Sequence, residues 1–223
     1  MSAPKVTLDR PWLSVDLGEP KRILSWAINR PGFVTANRIV WREVRNADLP
    51  PGFDVHAWLA TELHARGESQ SVAFLTSRDI NRFHTASASV EGVEAFVVAT
   101  VGLSNAEHVG SRQPMKPGHF GTINVAVSLD TDLSDTGLIE ALSIAVQART
   151  AAVMDADIQL PDGCATGTGT DCVAVAARPG TAAYAGLHTP VGEAIGRAVY
   201  DAVRSGADEW KAEQEDKAHA RFG

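Results

Sequence analysis

The chain has 223 residues, 44% of them apolar and 21% charged, which suffices for one sizeable core and is ordinary for a globular protein. Its formal net charge of -7 disfavours nucleic acid and anionic membrane surfaces as partners, since both call for a basic face. No run approaches the roughly 20 apolar residues of a membrane span, the first ten residues lack a signal-peptide core, and Cys164 and Cys172 read as reduced thiols; together these features predict a cytoplasmic protein.

Residues 12–16 and 23–28 predict short strands around a turn at Gly18-Glu19-Pro20-Lys21. Asn29-Arg30-Pro31-Gly32 predicts the next turn, residues 39–44 another strand, and Pro50-Pro51-Gly52 its end. Val55, Trp58, Leu59 and Leu63 recur at helical spacing, so a helix is expected over 54–65 with Gly67 just beyond as its stop. Residues 72–75 read as a short buried strand. Residues 83–90 and 93–101 flank Glu91-Gly92, a hairpin signature, and 97–101 are apolar without alternation, which places them centrally in a sheet.

Residues 102–121 form a polar segment longer than structureless loops usually are, a mark of functional or mobile loops. A strand over 122–129 follows. Ser134 is placed to cap a helix reaching about residue 154, with Leu138, Ile139, Leu142, Ala145, Val146 and Val153 on one side. Thr189 caps a last helix with Pro190 in the favoured first position. There Val191, Ala194, Ile195, Ala198, Val199, Ala202 and Val203 keep helical spacing, and Gly192 and Gly196 are expected to admit a close neighbour. Residues 205–223 read as a charged tail, a solvated helix extension or a frayed end. The fold expected is α+β: one domain, core at about 20–204, with a mixed, largely antiparallel sheet and about three packed helices.

The chemistry concentrates in Cys164-Ala165-Thr166-Gly167-Thr168-Gly169-Thr170-Asp171-Cys172, ahead of the strand-like Val173-Ala174-Val175-Ala176. Glycines let a backbone bend or approach closely, threonines donate and accept, and Asp171 supplies an acceptor or a base. The plainer reading is a Thr-rich turn whose hydroxyls satisfy its own backbone. Three further junctions share this chemistry: Gly102-Leu103-Ser104-Asn105-Ala106, Gly121-Thr122-Ile123-Asn124, and Gly186-Leu187-His188-Thr189-Pro190-Val191-Gly192-Glu193. Antiparallel strands could bring all four to one edge, gathering Ser104, Asn105, Thr122, Asn124, Thr168, Thr170, Asp171, His188 and Glu193 in one pocket.

Each has a structural alternative: Asn105 holding a turn, Asp171 binding its own turn amides, His188 as a local cap, Glu193 favouring the helix dipole. Asn124 sits in strand character that disfavours Asn, which points to a buried hydrogen bond. His84, His108 and His119 lie near the same loops. The Gly-Thr loop has no lysine and enters a strand, unlike a P-loop, and neither a G-x-S-x-G elbow nor a His-Glu-x-x-His motif occurs. No metal site is expected.

Ala165-Thr166-Gly167-Thr168-Gly169-Thr170-Asp171, Gly121-Thr122-Ile123-Asn124, Gly102-Leu103-Ser104-Asn105-Ala106 and His188-Thr189-Pro190-Val191-Gly192-Glu193-Ala194-Ile195-Gly196 occur in the order of the adenosylcobinamide amidohydrolase (CbiZ) family, which this chain resembles over roughly 20–204. The helix carrying Ala148-Arg149-Thr150-Ala151-Ala152 is similar too. The chain departs from the family at Asn29-Arg30-Pro31-Gly32-Phe33 and at Glu107-His108-Val109-Gly110-Ser111-Arg112. The resemblance implies hydrolysis of the amide joining a corrinoid side chain to aminopropanol, converting adenosylcobinamide to adenosylcobyric acid and 1-amino-2-propanol in cobamide salvage. It implies a corrinoid substrate and no cofactor of the enzyme's own, the cobalt belonging to the substrate.

On this reading Asp171 or His188 is the base, and Asn105, Asn124 and loop amides stabilise the oxyanion. Thr168 or Thr170 is the alternative, a covalent nucleophile. Ser104, Thr122, Thr166, Gly167, Thr168, Gly169, Thr170 and Glu193 bind substrate. The competing readings are a non-catalytic corrinoid-binding module and an amidohydrolase of another amide.

Overall fold

The computed structural model describes residues 3–45, 48–50, 52–112 and 121–222. Strands β1 (Lys5–Asp9), β2 (Trp12–Ser25) and β3 (Gly32–Glu43) come first, then helix α1 (Val55–Ala65) and strands β4 (Val72–Thr76), β5 (Phe83–Val90) and β6 (Val93–Val101). The short strand β7 (Ala106–Glu107) precedes β8 (Ile123–Leu133) and helix α2 (Asp135–Asp155). Three two-residue strands, β9 (Gln159–Leu160), β10 (Gly163–Cys164) and β11 (Gly167–Thr168), lead to β12 (Cys172–Pro179) and the long helix α3 (Pro190–Phe222).

One sheet runs β4-β3-β2-β12-β8-β6-β5, with β1 also paired to β2. β12 lies parallel to β8 and β4 parallel to β3; the other pairs in this sheet are antiparallel, so the sheet is mixed as expected. Neighbouring strands lie about 4.8 Å apart, so in a flat sheet β4 and β8 would be about 19 Å apart. Yet Asn124 Nδ2 on β8 donates to Leu75 O on β4 at 2.7 Å. The sheet therefore curls over β2, whose first half pairs with β1 and whose second half pairs with β12.

Alternation along the strands separates three apolar clusters. Leu13, Ile39, Trp41 and Phe74 from one half of the sheet meet Val98, Ala126, Ala174 and Ala176 from the other, forming the interior between the two layers. On the outer face, Leu59 and Leu63 of α1 pack on Trp12, Val40 and Ala73. Leu138, Ala145 and Val153 of α2, with Ala194, Ala198 and Val203 of α3, cover Val97, Val125, Val127 and Val175. Although α2 is long and apolar enough to cross a membrane, its apolar stripe belongs to this core.

The local signals hold in most places. Asp54, Ser134 and Thr189 accept from Ala57 N, Gly137 N and Gly192 N, as N-caps do. Glu91 and Gly92 both have positive φ, as a tight hairpin turn needs. Gly192 sits against the backbone of Gly186, where a Cβ would overlap it, whereas Gly196 faces open space.

Two expectations are corrected. Gly18–Lys21 is not a turn between strands but an irregularity inside the continuous β2, where the register with β3 shifts between Asp16 and Lys21; both flanks keep pairing with β3, so the extra residues are absorbed as a bulge. Of the two readings of the charged tail, the helix extension holds and the frayed end does not: α3 runs on to Phe222, but it is not wholly solvated, since it buries Ala207 and lays Glu209 and Glu213 against Arg78, Arg82 and His84.

Candidate active site at the starts of β8 and β12

Because β8 and β12 are parallel, with Cys172 opposite Asn124, the segments entering both strands arrive at the same end of the sheet. β6 runs antiparallel to β8 and delivers its C-terminus there, with Thr100 opposite Asn124. Gly102-Leu103-Ser104-Asn105, Gly121-Thr122 and the Gly-Thr loop thus meet, as the sequence suggested. Gly102 N donates to Thr122 O at 3.0 Å. Thr122 Oγ1 donates to Thr170 O at 2.7 Å, and Thr170 Oγ1 to Gly121 O at 2.9 Å. β11 pairs with β7, and Thr166 N donates to Glu107 O at 2.9 Å.

Asp171 is the hub of this knot. Its Oδ1 accepts from Ile123 N at 3.0 Å and from Thr168 Oγ1, and its Oδ2 accepts from Thr168 N at 3.0 Å and from the Arg149 guanidinium. The two charged side chains are 7% and 11% exposed, so the pair is shielded from water. Arg149 also donates to Thr166 O at 3.2 Å. A carboxylate with both oxygens doubly engaged holds a loop in shape, and that is the task the geometry gives Asp171. Gly167 is required beside it, since a Cβ would lie 2.6 Å from Asp171 Oδ2 and overlap Arg149.

Asn124 is 1% exposed, and its carboxamide is spent on Leu75 O and on Thr122 Oγ1, which approaches its Oδ1 at 3.3 Å. It ties the two layers together at this end, the buried hydrogen-bonding job its place in a strand implied. Asn105 differs. Its Oδ1 is buried and has no hydrogen-bond partner among the described residues. Gly121 lies directly beneath it, where a Cβ would come within 2.8 Å of that oxygen and 2.7 Å of Ser104 N. Around it Ser104, Gly169 and Thr170 are exposed and Thr168 is half-buried. Thr166 is buried and accepts from Val109 N at 2.8 Å.

His188 and Glu193 do not join this site, which corrects the expectation of a single pocket. β12 carries the chain about 23 Å away at about 3.3 Å per residue, and residues 180–189 pack at its other end. There Gly180 N donates to Leu133 O and Ala182 O accepts from Ser134 N, both at 2.9 Å, and Ala185 N donates to Glu140 at 2.6 Å. His188 is exposed, and Glu193 pairs with Arg197 one turn on. His84 serves the α3 contact, and His108 Nδ1 contacts Cys164 O at 2.6 Å. His119 lies outside the described residues.

Two residues at the site were not singled out from the sequence. Arg149 had a signal: it stands one turn after Ala145 on the apolar stripe of α2, where a charge needs a buried partner. Trp26 had none. It follows the last residue of β2, and its Nε1 donates to Asp171 O at 2.5 Å. Beside it, burial and the neighbouring Asp171 push the Cys172 thiol up to about 11, so at neutral pH it is a thiol and not a nucleophilic thiolate.

Among curated proteins, an adenosylcobinamide amidohydrolase of Halobacterium salinarum is 33% identical over 132 residues, 56% of this chain and 54% of that protein. The uncharacterised protein MJ1613 of Methanocaldococcus jannaschii is 34% identical over 88 residues, 38% of this chain and 34% of that protein. The matched stretches thus span about half and a third of those relatives. Among solved structures, the PH0078 protein of Pyrococcus horikoshii OT3 is similar at a TM-score of 0.45 and 11% identity, covering 87% of this chain and 76% of its own. The model of the adenosylcobinamide amidohydrolase family matches residues 2–215. With that match running over nearly its whole length, the chain belongs to the adenosylcobinamide amidohydrolase (CbiZ) family.

Proposed function

We propose that the protein hydrolyses the amide linking aminopropanol to the corrinoid of adenosylcobinamide, releasing 1-amino-2-propanol and leaving adenosylcobyric acid. Water adds to the amide carbonyl carbon, the C–N bond breaks, and the amine leaves with a proton. Family membership supports the reaction, and the Asn105 oxygen, buried and without a partner among the described residues, supports the place. Leaving a buried acceptor unpaired costs about 1–3 kcal/mol, a cost that vanishes if substrate supplies the donor. A substrate amide N–H over Asn105 Oδ1 would supply it, with the Ser104 hydroxyl beside the reacting carbonyl and the Thr168 and Thr170 oxygens, whose protons go to Asp171 and Gly121, left as acceptors for the corrinoid's amides. Corrinoids carry many amides, and a neutral rim of hydroxyls and backbone suits them better than charge. Asp171 and Arg149 contribute by holding the Gly-Thr loop.

The test is to incubate purified protein with adenosylcobinamide and quantify both products. The wild type should release aminopropanol, and Asn105→Ala should slow release about 100-fold, the scale of losing one stabilising contact to the reacting group, while its melting temperature should not fall, since the substitution removes the unpaired acceptor. Corrinoid bound and recovered unchanged would replace this reading with a binding module. Cleavage of simple amides with cobinamide untouched would replace it with an amidohydrolase of another substrate.

A further inference from the structure

Trp26 is 43% exposed, although tryptophan is highly buried on average. The ring is not loose. Its Nε1 is fixed to the Asp171 carbonyl at 2.5 Å, and its own carbonyl is 3.7 Å from Cys172 Sγ, which donates to it. Ser25 pairs with Ala174, so the indole stands at the start of β12, beside the loop that Asp171 organises. The polar edge of the indole is thus committed to the site while its apolar surface is left to solvent. The exposed groups of the nearby loop, Gly169 and Thr170, are small and offer little apolar area beside an indole.

We infer that Trp26 is a specificity-determining platform on which a flat conjugated ring of the substrate lies. This rests on the proposed corrinoid function and adds to it which side of the cleft receives the ring. The ring is either the corrin or the adenine of an upper adenosyl ligand; both present a conjugated plane, and an immobilised indole gains area and stacking with either.

The experiment measures dissociation constants by equilibrium dialysis for adenosylcobinamide and for cobinamide carrying cyanide in place of adenosyl, together with KM and kcat, for wild type, Trp26→Phe and Trp26→Ala. Trp26→Ala should weaken binding and raise KM about tenfold, with kcat within about twofold; Trp26→Phe, which keeps a flat ring but loses the Nε1 donor, should stay within about threefold. A loss seen with both ligands assigns the corrin, and a loss confined to the adenosyl form assigns the adenine. If wild type binds and hydrolyses but Trp26→Ala binds equally well, or if Trp26→Phe loses as much as Trp26→Ala, the platform is wrong and the residue is only an anchor for Asp171. Wild-type protein that neither binds nor hydrolyses cobinamide would overturn this inference together with the function it rests on.

Discussion

Gly167 and Gly169 are two residues apart in the same loop and should respond differently to one added methyl group. At Gly167 a Cβ would overlap the Arg149 guanidinium and come within 2.6 Å of Asp171, so the ion pair must open to admit it. At Gly169 the nearest atoms, from Glu107 and Asn105, are 3.9 and 4.0 Å away, ordinary contact distances. Gly167→Ala should therefore cost about 1–3 kcal/mol, the scale of overpacking, and should disturb the loop that positions Thr168 and Thr170. Gly169→Ala should be close to neutral in stability. Urea midpoints of the two variants check this, and equal destabilisation would show that Asp171 and Arg149 do not form a rigid frame. The sequence showed that glycine mattered in this loop but not which one, because the partner that makes Gly167 obligatory comes from α2.

At the scale of elements, the C-terminal part of α3 is held by charge as well as by packing. Arg78 and Glu213 are 8% and 18% exposed and meet at 2.6 Å. The hydrogen bond from Arg78 holds Glu213 below its ordinary 4.5. A carboxylate depressed in the fold contributes its full stability above the unfolded value and loses that contribution as pH falls through the folded one. Wild-type stability should therefore decline as pH drops below about 4.5, and Glu213→Gln should cost about 2 kcal/mol at neutral pH while making the acid decline shallower. Denaturant midpoints between neutral pH and pH 3 decide it; parallel curves for the two proteins would remove Glu213 from the account. None of this was legible from the charge run itself, since Glu209 and Glu213 look solvated until β4 and β5 bring Arg78, Arg82 and His84 beneath them. Elements defined by contacts close in sequence were legible: the hairpin at Glu91-Gly92, the caps at Ser134 and Thr189, the α1 stripe of Leu59 and Leu63. The bulge in β2 reads as a turn for the converse reason. Gly18 and Pro20 carry turn chemistry, and only the pairing of both flanks with β3 makes one strand of them.

For the molecule as a whole, the parallel pairing of β8 and β12 decides which of the four polar junctions can act together. Three gather at the strand starts, while the fourth, with His188 and Glu193, is carried to the far end by β12 itself. Small polar motifs announce chemistry without announcing position, and a sequence cannot tell a strand that returns a loop to the site from one that takes it away. The two ends should respond differently to substrate. Binding adenosylcobinamide should slow amide hydrogen exchange at residues 102–108, 121–124 and 165–173 and in the segment around Trp26, because these backbones border the proposed cleft and local opening there would have to release the ligand. Exchange at residues 185–193 should be unchanged, since that segment is fastened to Glu140 and to the start of α2. Exchange measured with and without the corrinoid separates the possibilities directly. Protection centred on His188 with none around Asn105 would move the cleft to the opposite end of the sheet, leaving Asn105, the Asp171–Arg149 pair and Trp26 without a part in binding or hydrolysis.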